Sequence, residues 1–144
     1  MKKPFLFLSI AAMNVMLASN VVYAHNNPVL STAEAQLKAG QYQEAIENFT
    51  KAIENTPKLA SDDLSKAYYN RGVSELAFGS TESAKADFRK SIEADPTPVD
   101  AQAFKIRGLA KSALGDTQGA QSDFKRAGIS GDSSVEKEIN KNNG

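Results

Sequence analysis

A chain of 144 residues with 17 basic and 17 acidic side chains, 41% of it apolar, has the size and balance of one folded, water-compatible unit. The charges are interspersed along the chain, which excludes a basic stripe for nucleic acid or for an anionic membrane face. No cysteine is present, which excludes disulfides, thiolate metal sites and a lipid-anchored cysteine terminus and leaves packing alone to hold the fold.

The first segment reads as a secretory leader over residues 1–24. Lys2 and Lys3 precede a mostly apolar run from Phe5 to Val22, and Val22, Tyr23 and Ala24 end it with a small residue at the cut. Cleavage after Ala24 is expected to make His25 the N-terminus of an exported product, periplasmic in a host with two membranes and secreted from a host with one. With the leader gone, no membrane association is expected. The competing reading is a retained anchor, because the run is nearly long enough to span a bilayer. Asn14 and Asn20 inside it, and the polar His25, Asn26, Asn27, Pro28 stretch after it, favour cleavage.

Three copies of one pattern follow. Gly40, Ala45 and Phe49 recur as Gly79, Ala84 and Phe88, and again as Gly115, Ala120 and Phe124. In each set the glycine separates two amphipathic helical stripes, the signature of a helical hairpin. The first copy, about 28–57, has a short first helix, opened either by Pro28 or by a capping box of Ser31 and Glu34. Its second helix, Tyr42 to Asn55, carries Ala45, Ile46, Phe49, Ala52 and Ile53 at helical spacing before Pro57. The second copy, about 62–96, turns at Gly79, Ser80 and Thr81, where the glycine suits a left-handed cap and the hydroxyls suit the next N-terminus. The third copy, about 101–128, repeats it from Phe104 to Ala127.

Gly72 and Gly108 stand in mid-helix, where glycine costs about 1 kcal/mol relative to alanine. Close approach of two helices offsets that cost, with Ala84 and Ala120 as the small residues expected opposite; Ala33 and Ala45 fill these places in the first copy. Residues 129–144 are read as a short capping helix, opened by Ser133 and Glu136 and carrying Val135 and Ile139 on one side, followed by a frayed tail.

Tyr68, Gly72, Ala84, Phe88 and Pro96, matched by Phe104, Gly108, Ala120 and Phe124, resemble the tetratricopeptide repeat over about Pro28 to Gly128. The departures are Val29 in place of the first aromatic, Glu75 and Lys111 in place of the usual tyrosine, and Asp132 in place of the last proline. Phe49 to Phe88 and Phe88 to Phe124 both exceed the family period of about 34 residues. The surplus falls in the connections, Lys58 to Ser65 and Thr97 to Asp100, and the first is expected to lengthen the following helix by a turn. The resemblance implies an all-α, right-handed α-solenoid of three hairpins with a short C-terminal cap, and a concave groove lined by the first helices. On that footing the groove residues are Glu34, Leu37, Lys66, Tyr69, Val73, Leu76, Lys105 and Leu109, with Leu30, Gln102 and Ser112 on the same side. Tyr69, following another aromatic, is expected to face the groove.

Arg71 and Arg107 precede the mid-helix glycines, and Asp87 and Asp123 precede the phenylalanines; the first copy has Thr32 and Asn48 instead, so both charges vanish together. Ion pairs Arg71 to Asp87 and Arg107 to Asp123, each tying one hairpin, are expected. The alternative is that these arginines grip a partner carboxylate.

Catalytic chemistry finds no support. His25 is the single histidine, which denies a histidine-based triad or a two-histidine copper brace. Asp62 and Asp63 suit a helix start. No catalytic residue, metal or cofactor is expected. The reading is an exported adaptor that binds an unidentified protein or peptide. The alternatives are self-assembly through Leu30 and Leu37, or an accessory subunit of an envelope enzyme or secretion complex.

Overall fold

The computed structural model describes residues 27–55 and 59–129, and within them every regular element is a helix. The order is α1 (Pro28–Lys38), α2 (Tyr42–Glu54), α3 (Ser61–Phe78), α4 (Thr81–Ala94), α5 (Ala101–Ala113) and α6 (Thr117–Arg126). They pair as three antiparallel hairpins, α1/α2, α3/α4 and α5/α6. The first helix of each later hairpin packs against both helices of the one before, so the hairpins stack in sequence. The expected leader and most of the expected C-terminal cap lie outside the described residues.

Helix α1 opens at Pro28. Asn27 is its N-cap, the side-chain oxygen accepting from the amides of Val29 and Leu30 at 2.9 and 3.2 Å. Pro28 at the first position has no amide to leave unpaired. The Ser31 and Glu34 capping box is therefore not what starts this helix; both residues lie inside it. Gly40, Gly79 and Gly115 end the first helices with positive φ, 73°, 98° and 84°. In this left-handed region a side chain is strained, which explains the glycine at each turn. After Gly79 the Ser80 amide returns to the Glu75 carbonyl at 2.7 Å. The Ser80 hydroxyl does not cap α4, contrary to expectation; aspartates cap α5 and α6, Asp100 accepting from the Ala103 amide and Asp116 from that of Gly119. Helix α3, with 18 residues against 13 in α5, is more than a turn longer, and Asp62 and Asp63 sit in its first turn.

Two apolar clusters hold the stack. Leu30, Ala33, Ala45, Phe49, Ala52 and Ala67 join the first hairpin to α3. Tyr69, Phe88, Ile106, Leu109 and Phe124, with alanines 84, 110 and 120, join the second hairpin to the third. The mid-helix glycines make room for rings rather than for the alanine side chains. A β-carbon on Gly72 would lie 2.8 Å from Phe88 Cε1 and 3.2 Å from the Ala84 carbonyl oxygen; on Gly108 it would lie 2.7 Å from Phe124 Cε1 and 3.3 Å from the Ala120 oxygen. The second and third hairpins thus close by laying the phenylalanine of the second helix on the first helix, and burial of such a ring contributes about 1.5–3 kcal/mol.

Candidate partner-binding groove

The first helices α1, α3 and α5 carry the side expected to meet a partner. Glu34 and Lys66 are both there and pair across α1 and α3, Oε1 to Nζ at 2.8 Å. Val73 is half-buried and packs on the second cluster, and Leu37 packs on the first. Leu76 is exposed at 39%, and two residues on, at the end of α3, Phe78 is exposed at 57%. Phe78 was not among the expected groove residues. Lys105 is half-buried, Gln102 exposed and Ser112 half-buried.

Two of the expected contact residues are not available to a partner. Tyr69 is 6% exposed and Leu109 5%. The Tyr69 ring lies 5.7 Å from that of Phe88, and the third hairpin closes over it. The adjacent aromatics divide their roles the opposite way from the expected one. Tyr68 is drawn to a pair of cations, Arg71 at 5.5 Å and Lys90 at 5.6 Å from its ring centre, which leaves Tyr69 to fill the core. Leu30 is likewise buried, in the first cluster, so self-assembly through Leu30 and Leu37 lacks half of the surface it requires.

The arginines face their own second helices. Arg71 donates through Nε and Nη2 to the two Asp87 oxygens at 2.6 and 2.9 Å, and through Nη1 to Thr50 Oγ1 of the preceding hairpin at 2.9 Å. Arg107 makes the same fork to Asp123 at 2.8 and 2.6 Å, and its Nη1 donates to the Pro96 carbonyl. Each guanidinium therefore ties its own hairpin and also reaches chain that precedes it. Phe104 repeats the cation clamp of Tyr68, with Arg107 and Arg126 at 5.6 and 4.9 Å. The hydrogen bond to its aspartate holds each arginine above its already high ordinary value, against the opposing effect of burial.

Reading the sequence missed a further position in this network, one turn beyond each arginine place. Lys111 pairs with Asp123 at 2.8 Å, and in the first hairpin Gln36 accepts from Asn48 Nδ2 at 2.8 Å. The signal available was the recurrence of a polar residue, Gln36, Glu75 and Lys111, where the family pattern has tyrosine.

A double-mutant cycle on Arg71→Met and Asp87→Leu measures the tie. The two losses of stability in urea are expected to fall short of additivity by about 1–3 kcal/mol; additive losses would show that the fork carries no coupling.

Among the described residues no group of three or more acidic or histidine side chains is placed to hold a metal ion, and no helix is long and apolar enough to cross a membrane. Residues 30–97 match the family model of the tetratricopeptide repeat. That stretch carries tetratricopeptide repeats. The third hairpin, beyond the matched stretch, repeats the second in its glycine-on-phenylalanine contact and its arginine fork. Among solved structures, the chain is similar to the tetratricopeptide-repeat domain of Sgt2 from Aspergillus fumigatus, with 21% identity and a TM-score of 0.52 over 81% of this chain and 76% of that one. The tetratricopeptide-repeat fold is thus shared, a stack of helical hairpins that implies a protein partner in general.

Proposed function

We propose that this protein is a non-catalytic adaptor of the cell envelope that holds an extended peptide or one amphipathic helix along its first helices. The observation that carries this reading is exposed Leu76 on α3, with half-buried Val73 one turn before it and Lys66, paired with Glu34 of α1, further toward the start of the same helix. Apolar anchors bordered by charge suit a peptide with apolar residues at alternate or helical spacing. The envelope location rests on the leader pattern of residues 1–24.

A photoreactive residue at position 76, activated in intact cells, is expected to capture the partner for identification by mass spectrometry. Leu76→Asp should cut the affinity of the captured partner about tenfold or more, with the circular dichroism spectrum unchanged. Capture through exposed Arg89 on α4 with none through position 76 would move the site to the second helices and overturn the proposal.

A further inference from the structure

The three hairpins treat one position differently. In the first, Gln36 hydrogen-bonds Asn48; in the third, Lys111 pairs with Asp123. The second has Glu75 and Asp87 in these places, two carboxyls where the neighbours have complementary groups. The Glu75 Oε2 atom is out of contact with water and has no hydrogen-bond partner. Arg71 does not relieve this: its hydrogen bonds go to Asp87 and Thr50, and none reaches this oxygen. Lys90, the other nearby cation, sits over the Tyr68 ring.

We propose that Glu75 is an acid-responsive latch of the middle hairpin: ionised, it is repelled by Asp87; protonated, it loses that repulsion and gains a donor, restoring the complementarity of the other two hairpins. The charged groups that act on it are Asp87 and Lys90 from α4 and Arg71 from its own helix, while α2 meets the cluster through the neutral Thr50 hydroxyl. Burial, then Asp87, pushes the Glu75 carboxyl above the ordinary glutamate range, and the two cations only partly oppose this. An acid raised in the folded state binds its proton where the unfolded chain has already released it. Stability from this residue is therefore greatest in acid and is lost as pH rises from the unfolded value through the folded one.

The test compares thermal unfolding of the protein and its Glu75→Gln variant from about pH 7 down to about pH 4, on either side of the region where a raised glutamate titrates. Glutamine keeps the shape and supplies the donor without the charge. The variant is expected to melt about 4 °C or more higher at pH 7, and the gap to close as the pH falls. A gap that is absent, reversed or constant across the range would overturn the proposal. Independently of the variant, carbon NMR of the Glu75 carboxyl in the unaltered protein should give a midpoint above that of an exposed glutamate, and one at or below it would equally sink the latch.

Discussion

Phe124→Ala is expected to destabilise the protein by about 3–5 kcal/mol, measured by urea unfolding. The ring is fully buried, and it belongs to the cluster that joins the second hairpin to the third, so its removal opens both the α5/α6 hairpin and the seam beside it. Gly108→Ala attacks the same contact from the other side. Its new methyl would lie under 3 Å from two ring carbons, with the Ala120 carbonyl behind them, and the resulting overpacking should cost about 1–3 kcal/mol. The two helices are held so closely that neither can yield without loss elsewhere. Combining Gly108→Ala with Phe124→Leu should therefore recover part of the glycine's penalty, because a smaller side chain vacates the space the methyl needs. Effects that add to within about 0.5 kcal/mol would show that the ring does not sit on the glycine.

The same contact explains what was legible in the sequence. A mid-helix glycine is costly, so its appearance twice at the same offset from a phenylalanine already required close approach, and the hairpins follow from that. What the spacing could not separate was which atom arrives. Alanine and phenylalanine stand four apart on one helical stripe, and the structure brings the ring, with alanine contributing its carbonyl. Tyr68 and Tyr69 show the same limit. Periodicity says that one of two adjacent aromatics goes inward; Tyr69 does, while Tyr68 meets Arg71 and also Lys90, a residue from another helix whose position no local pattern records. The arginine forks were legible because both partners change together between copies. Glu75 and Lys111 were visible as departures from the family tyrosine, but their meaning depends on Asp87 and Asp123 lying opposite, which is a fact of packing.

Asp123→Ala should cost about 3–5 kcal/mol at neutral pH, because it takes the acceptor from two cations at once. The carboxylate is 2% exposed and receives Arg107 at 2.6 Å and Lys111 at 2.8 Å, whose own side chains are only 13% and 21% exposed. Burial alone would push Asp123 up, but the hydrogen bonds from Arg107 and Lys111 together more than offset it and hold the carboxyl below its ordinary value. A depressed acid stabilises the fold above its unfolded value, about 3.9, and that contribution is lost as pH falls from there through the folded value. The destabilisation caused by Asp123→Ala should accordingly be largest near neutrality and shrink in strong acid; the native Asp123 contribution is lost as pH falls, whereas that of Glu75 is lost as pH rises. Replacing Asp123 and Arg107 together by leucine and methionine, in a Lys111→Met background so that neither cation is orphaned, separates the worth of the cluster from the penalty of an orphaned charge. That combined variant should be less damaged than Asp123→Ala alone, since a buried cluster roughly balances its desolvation cost while a lone buried cation does not. If the combined variant is the worse of the two, the cluster contributes net stability beyond that balance, and the third hairpin depends on it for its closure.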